Sequence, residues 1–414
     1  MIVRIHRGAE EIGGNIVEVE HEGSRIVLDL GLPLSSTLGE SAPMPVITGL
    51  DGYADLLGVI LTHAHPDHYG LIPQLDKAVP IICGAATGRI LSEASFFTPG
   101  RMRLDPAMTL VDRRAFKLGP FTITPFLVDH SAFDAYALLV EAGGRRLFYT
   151  GDLRGHGRKS RLFEALIARP PPDVDVLLME GTRIDEPDAR GRGLASESGV
   201  EAEMLKTITS ARGLVLAMFS PQNVDRLVSV YRAARRAGKT LVIDLYGASV
   251  AAATGNAAIP QASWEGVRVY VPQAQRIRVK QSAQFERVRE IAASRIYGEE
   301  LAANPSRYVL LFRESMCREL ERADCLDGAV AIWSMWTGYL NQPSGLRLRE
   351  FLEARDVPLV VQHASGHATS ADLLRLARAI DARRVVPIHT AAPEAFPGLI
   401  DNAEVRKDGE WWQV

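Results

Sequence analysis

The sequence predicts an α/β protein in which a strand-rich first part is followed by a second unit of alternating strands and helices. Three observations carry this. Apolar strands in the first part repeatedly end on His, Asp or Glu, as in "LLGVILTHAHPDH", "FTITPFLVDH", "RRLFYTGD" and "VDVLLMEGT". After Glu180 the polar, Gly-rich stretch "RIDEPDARGRGLASESG" breaks that pattern and reads as a crossover into a new unit. Later, "PLVVQHASGH" and "RRVVPIHT" again bring strands to histidines. Polar residues at the carboxyl ends of buried strands are where α/β proteins carry their chemistry.

Each element follows from its pattern. "NIVEVE" alternates apolar and polar residues and predicts a half-buried strand, joined by the Gly turn of "HEGS" to "SRIVLDLG". "LLGVILT" is a buried strand, "YGLIPQLDKA" predicts a helix and "VPIICG" a short strand. "AYALLVEAGGRRLFYTGD" continues the sheet. In the second unit "GLVLAMFS", a helix over 223–237 and "TLVIDLYG" form a βαβ signature. The charged run "SAQFERVREIAASRIYGEEL" predicts a helix, and "YVLLFRESM" and "GAVAIWSMWTGYL" predict strands. A helix in "SADLLRLARAIDA" precedes the strand "RRVVPIHT". The expected division is 1–194, 195–345 and 346–414, with the middle segment inserted into a domain formed by the outer two.

The 414 residues exceed one typical domain, and a net charge of −3 argues against a uniformly basic nucleic-acid coat while leaving room for a local basic channel. Three cysteines, Cys83, Cys317 and Cys325, are too few and too scattered for a disulfide framework or a zinc knuckle. "MIVRIHRGAEEIGG" lacks the apolar core of a signal peptide, and no apolar run is long enough to span a bilayer. A cytoplasmic location and no membrane partner are the expectation.

The chemistry concentrates in "THAHPDH". On extended chain His63 and His65 project to the same side, and the turn at Pro66 redirects Asp67 and His68. Two neighbouring metal positions can thus each be served by one pair. Imidazole and carboxylate together suit Zn²⁺ or Mn²⁺, and the lack of thiolates points to a catalytic rather than a structural site.

Asp29 in "VLDLG", "HAHPDH", His130 in "LVDHSA" and Asp152 in "YTGDLR" follow one another as in the metallo-β-lactamase superfamily, which this chain resembles. The resemblance implies an αββα sandwich with His63, His65 and His130 on one metal, Asp67 and His68 on a second, and Asp152 bridging them. Asp29 would orient a ligand imidazole. "MEGT" with Glu180, "SGHA" with His367 and "PIHT" with His389 resemble the three further signatures of the β-CASP nucleases. "GAEEIGGN" and "SPQNVDRL" resemble the ribonuclease J-like branch, so the matches run over 8–390. The implied fold is a metallo-β-lactamase sandwich with an inserted β-CASP α/β domain.

The implied activity is two-metal hydrolysis of nucleic-acid phosphodiesters by a ribonuclease, acting as an exo- or endonuclease on single-stranded RNA in preference to DNA. Two divalent ions, Zn²⁺ or alternatively Mn²⁺, would polarise the phosphodiester and acidify the attacking water. Asp67 belongs to that catalytic set, and His389 would complete the second metal's ligands. His367, tuned by Glu180, would protonate the leaving oxygen. Ser365 and the Gly366 backbone are candidate phosphate contacts, as are Arg154, Arg158 and Lys159 in "RGHGRKSR", beside Asp152. Trp333, Trp336 and Tyr339 are either core or base-stacking residues. His363 is expected only as a neighbour. The alternatives are a DNA-repair nuclease of the same family and a small-molecule metallo-hydrolase, the latter leaving Glu180 and His367 without a role.

The chain departs from its relatives where the Ser-Gln-Gly segment is replaced by "WSMWTGYL" and where "AAPEAF" follows "PIHT". Assembly through the further C-terminal domain of longer relatives is not expected, which leaves homo-oligomerisation open.

Overall fold

The computed structural model describes residues 1–36, 39, 42–51, 56–98, 102, 104–186 and 196–414. The chain divides into one unit formed by Met1–Ala189 with Gly366–Val414, and a second formed by Arg190–Ser365. Of the Gly-rich crossover expected over 183–199, positions 187–195 lie outside the described residues.

In the first unit, strands β1 (Ile2–Arg7), β2 (Ile16–His21), β3 (Ser24–Leu28), β4 (Leu56–Ile60), β5 (Ile81–Gly84) and β6 (Met108–Leu110) build one sheet. A second sheet contains β7 (Phe116–Leu118), β8 (Phe121–Leu127), β9 (Tyr136–Ala142), β10 (Arg145–Tyr149) and β11 (Val176–Glu180). The two sheets share an apolar core. Val3, Ile5, Val17, Val19 and Leu28 of the first pack with Ile123, Leu138, Val140, Leu147 and Leu178 of the second. Phe148, Leu177 and Met179 point the other way, onto Phe163 and Leu166 of the helix Ser160–Ala168 and Leu373 and Leu376 of the helix Ser370–Ile380. Alternation along each strand thus feeds two apolar layers, which is why these strands read as continuous hydrophobic runs.

The second unit carries β12 (Val215–Met218), β13 (Thr240–Asp244), β14 (Val267–Tyr270), β15 (Arg295–Ile296), β16 (Tyr308–Leu311), β17 (Val330–Trp333) and β18 (Leu359–Val361). They form one parallel sheet in the order β15-β14-β13-β16-β12-β17-β18. The chain then returns to the first unit as β19 (Arg384–Ile388), parallel to β11, and β20 (Trp411–Gln413), antiparallel to β1.

Three expectations are corrected. The return comes at Gly366 and not at 346, because β18 is hydrogen-bonded to β17 and belongs to the second sheet. "YGLIPQLDKA" is not a helix. Only Pro66–Tyr69 and a 3₁₀ turn at Ile72–Gln74 form, since Pro73 supplies no N–H for a continuing ladder. "SAQFERVREIAASRIYGEEL" is broken into Glu286–Arg289, β15 and Gly298–Ala303. There, edge pairing with β14 buries Ile296 and overrides helix propensity.

Candidate metal centre

Strand ends deliver the site. β4 runs out at Ile60, Thr62 and His63 follow fully buried, and Pro66 at the start of the next short helix turns Asp67 and His68 inward. His130 follows β8, Asp152 follows β10, Glu180 closes β11 and His389 follows β19. Two of these turns are left-handed at non-glycine residues, Asp29 with φ 59° and His389 with φ 54°. Such backbone costs on the order of 1–3 kcal/mol and persists where its surroundings fix it. Here the Asp29 N–H donates to Ile60 at 2.9 Å and the His389 N–H donates to Gly8 at 2.7 Å.

The side chains converge on two overlapping groups. His63, His65, His130 and Asp152 bring one ligand atom each within 4.8 Å of one another, and so do Asp67, His68, Asp152 and His389. Asp152 belongs to both. Its Oδ2 lies 3.2 Å from His68 Nε2, 3.7 Å from His63 Nε2 and 3.9 Å from His130 Nε2, and its Oδ1 lies 3.5 Å from His389 Nδ1.

Outer hydrogen bonds assign the tautomers. Asp29 accepts from the Thr62 N–H at 2.7 Å, from His68 Nδ1 at 2.8 Å and from the Tyr149 hydroxyl at 2.8 Å. The Thr62 hydroxyl donates to Asp29 at 2.9 Å, so its lone pair receives His63 Nδ1–H at 3.0 Å. His130 Nδ1 donates to the Gly366 carbonyl at 2.6 Å and His389 Nδ1 donates to Asn15 Oδ1 at 3.0 Å. The Asn15 amide in turn donates to the Tyr149 hydroxyl at 3.2 Å. With the Nδ1 protons of His63, His68, His130 and His389 thus committed, their Nε2 atoms are left facing inward, whereas His65 turns its Nδ1 toward His130 Nε2 at 3.1 Å. His63 Nε2, His68 Nε2, His389 Nε2 and both Asp152 oxygens are buried without a hydrogen-bond partner. Buried polar atoms are almost always paired, and this donor set of imidazole nitrogens around a shared carboxylate fits divalent cations.

The electrostatics agree. Burial, then the neighbouring histidines, holds His63 well below the usual imidazole range. Burial also lowers His65 to about 4, against the opposing pull of Asp67 and Asp152. His130 and His389 are lowered for the same first reason. Neutral imidazoles present the lone pairs that a cation needs. His68 differs: burial lowers it, but Asp152 and Asp29 together raise it well above the usual range. Burial would raise Asp152, yet His389, His68 and His367 hold it well below the carboxylate range.

His367 stands beside this cluster and outside both groups. Its Nδ1 is 3.1 Å from the Thr182 hydroxyl, 3.5 Å from Glu180 and 3.7 Å from Asp152. Burial would lower its pKa, but the Glu180 and Asp152 carboxylates raise it to about 9. Glu180 also accepts from the N–H groups of Thr182 at 3.1 Å and Ala368 at 3.2 Å, which ties the two "MEGT" and "SGHA" segments together.

The basic rim is corrected. Arg154 is fully buried beside Asp129 at 3.5 Å and serves the fold behind His130. The Lys159 ammonium donates to the carbonyls of His130 at 3.0 Å and Ala132 at 3.1 Å, bracing the His130 loop. Arg158 is half-buried. The Gly366 carbonyl is engaged by His130, and a Cβ there would sit 2.8 Å from Ser131 Oγ, so its glycine is explained by close packing. Ser365 and His363 belong to the second unit, where His363 Nδ1 lies 3.3 Å from Arg226. Trp333 is core, whereas Trp336 and Tyr339 are exposed. Asn15, Thr62, Tyr149 and Thr182 escaped the sequence reading. All four lay inside quoted motifs, but nothing in their residue type distinguished a relay from a turn.

A family model described as a beta-lactamase superfamily domain matches residues 25–214. Residues 25–214 thus carry a beta-lactamase superfamily domain. The chain is similar to ribonuclease J from Mycobacterium tuberculosis (strain ATCC 25618 / H37Rv), 30% identical over 244 residues, covering 56% of this chain and 42% of that protein. It is also similar to ribonuclease J from Mycoplasma genitalium, 25% identical over 228 residues, covering 53% of this chain and 39% of that protein. The matches therefore span less than half the length of these curated relatives. A crystal structure of a protein of unknown function from Enterococcus faecalis V583 superposes with a TM-score of 0.81 over 99% of both chains at 22% identity, a likeness of fold.

Proposed function

We propose that this chain is a metal-dependent ribonuclease that hydrolyses RNA phosphodiesters at a centre for two divalent cations. The observation that carries the reading is the convergence of unpartnered buried Nε2 atoms and Asp152 oxygens beside the His367–Glu180 pair. His63, His65 and His130 would hold one cation, Asp67, His68 and His389 the other, with Asp152 shared. Bound cations supply Lewis acidity, neutralising charge on the phosphodiester and acidifying water. His367 keeps a proton in the company of Glu180 and gives it to the leaving 3′-oxygen, while Thr182 fixes the imidazole's direction. Asp29 and Asn15 keep the His68 and His389 imidazoles aimed inward.

RNA is favoured over DNA because the curated relatives are ribonucleases J and because His389 stands in place at the last motif. Zn²⁺ and Mn²⁺ both suit the donor set, with Zn²⁺ the first expectation. The second unit is read as the β-CASP insertion, and single-stranded substrate in the cytoplasm goes with the same reading. Among the described residues no helix is long and apolar enough to cross a membrane.

The deciding assay offers end-labelled RNA, matched DNA and a chromogenic ester to the protein with Mn²⁺ or Zn²⁺. RNA cleavage that disappears in His65→Ala with Asp67→Ala is the expected result. Cleavage of neither polynucleotide beyond that control refutes the nuclease reading, and preference for the ester favours a small-molecule hydrolase.

A further inference from the structure

A second charged feature lies at the other end of the strands that carry the metal centre. A cavity of about 590 Å³ is lined by Arg145, Arg383, Arg384 and Arg406 together with Trp411 and Asp175. Arg145 and Arg384 open β10 and β19, and Asp175 immediately precedes β11. These three strands run parallel, β10 beside β11 beside β19. Each is five residues long, or about 17 Å at ~3.3 Å per residue. Glu180 and His389 stand at their far ends, so the cavity and the metal centre are separated by at least the length of the sheet.

The charge there is undercompensated. Arg145 and Arg383, the two most exposed guanidiniums at 49% and 75%, share a single oxygen of Asp175 at 3.2 and 3.4 Å. Arg384 reaches Glu404 at 3.5 Å and the Gln413 carbonyl at 2.6 Å, and Arg406 pairs with Glu404 and with Glu410 at 3.4 Å. Four guanidiniums thus meet three side-chain carboxylates, with Val414 also in the lining, on a chain whose net charge is −3. Next to them the partly exposed Trp411 ring carries the Arg4 guanidinium at 4.5 Å and the Arg25 guanidinium at 5.8 Å. Planar guanidinium forks match phosphate oxygens two at a time, and an aromatic ring among them offers a face on which a base stacks.

We propose that this arginine cavity binds phosphates of the RNA strand away from the point of cleavage, so that long substrates are held at two places. The inference rests on the ribonuclease reading. It makes affinity depend on substrate length and leaves the chemistry at the metal centre untouched.

The test uses the full chain with Arg145→Glu and Arg383→Glu combined, and the milder Arg145→Gln with Arg383→Gln as a second variant. Binding of a fluorescent RNA of about 30 nucleotides is followed by anisotropy in chelator across a salt series, beside a dinucleotide and inorganic phosphate as competitors. Hydrolysis of bis(p-nitrophenyl) phosphate with Mn²⁺ reports the centre independently. Loss of two phosphate contacts should flatten the salt slope by about 1.4 and weaken long RNA roughly 25-fold at ~0.1 M salt. Dinucleotide binding and diester turnover should stay at wild-type values. Unchanged affinity and salt slope for long RNA overturn the proposal while the nuclease reading stands. Equal weakening of dinucleotide and free phosphate overturns it in favour of a small-anion pocket. Failure of the wild type to bind long RNA or to hydrolyse the diester brings down both.

Discussion

Compare the His/Asp cluster of the first unit with the Arg226–Glu197 network of the second. Both bury titratable side chains almost completely: His63, His68 and His389 at 0% and Asp152 at 1%, Arg226 at 0% and Glu197 at 1%. In the second unit's network all three guanidinium nitrogens of Arg226 are used. Arg226 meets Glu197 at 2.8 and 3.2 Å, the Ser334 carbonyl at 2.7 Å and the Ala364 carbonyl at 3.3 Å, while the Ser229 hydroxyl donates to Glu197 at 2.8 Å. In the first unit three Nε2 atoms and two carboxylate oxygens face one another with no hydrogen bond. An unpaired buried polar atom costs about 1–3 kcal/mol, so such a cluster is costly unless a ligand completes it. Burial of charge alone does not separate a site from scaffold. What marks the site is the convergence of such unpaired atoms on one shared carboxylate, and His363, which leans on Arg226, is in neither converging group.

The largest effect should come from breaking the shared ligand. Asp152→Asn keeps the volume but removes the charge that both groups use, and turnover on RNA should fall by roughly 10³-fold or more. Elemental analysis should find the metal content reduced with it, whereas the chelated variant should resist urea at least as well as the chelated wild type. Two retained metals and full activity would contradict the shared-ligand assignment. His367→Ala should instead keep its metals and lose about 10²- to 10⁴-fold in turnover, the usual contribution of a proton donor. Metal loss in that variant would make His367 a ligand.

The other half of the comparison predicts the opposite behaviour. Arg226→Met should leave Glu197 buried without its partner and lower the stability of the second unit by about 3–5 kcal/mol. Adding Glu197→Leu should recover most of that loss, because an apolar pair replaces the ion pair. Trp264, Trp333 and Trp336 report this unit's unfolding in urea. If Arg226→Met unfolds at the wild-type midpoint, a fully hydrogen-bonded network contributes less than its geometry implies, and the contrast fails.

Much of this was legible in the sequence because candidate metal ligands are residue types with few other reasons to cluster. His63, His65, Asp67 and His68 sit within six positions, and His130, Asp152 and His389 each terminate an apolar run. The residues that aim them were not legible. Asn15 reaches His389 across 374 positions and the Gly366 carbonyl reaches His130 across 236, and neither an amide nor a backbone carbonyl announces such a role. Arg154 and Lys159 misled for a related reason. A run of positive charge next to a ligand looks like a phosphate rim, but a turn supporting a buried histidine loop also needs donors for its carbonyls. The second unit's return was placed too early because a three-residue edge strand carries little pattern.

The smallest effect concerns pH in the metal-free protein. His65 is lowered to about 4 in the folded chain, by burial first and against Asp67 and Asp152, whereas an unfolded imidazole titrates near 6.5. Between these values the unfolded state binds the extra proton, so stability rises with pH through this window and is lost as pH falls towards 4. His63, His130 and His389, also lowered, add the same sign. His367, raised to about 9, acts oppositely: its contribution is complete below 6.5 and fades as pH climbs through 9. Urea midpoints measured in chelator from about pH 4 to 6.5 should therefore rise more steeply for wild type than for His65→Gln, which cannot titrate there. Equal slopes would mean that His65 in the metal-free chain keeps an ordinary aqueous environment, and the packed imidazole cluster would then be a product of metal binding rather than of folding.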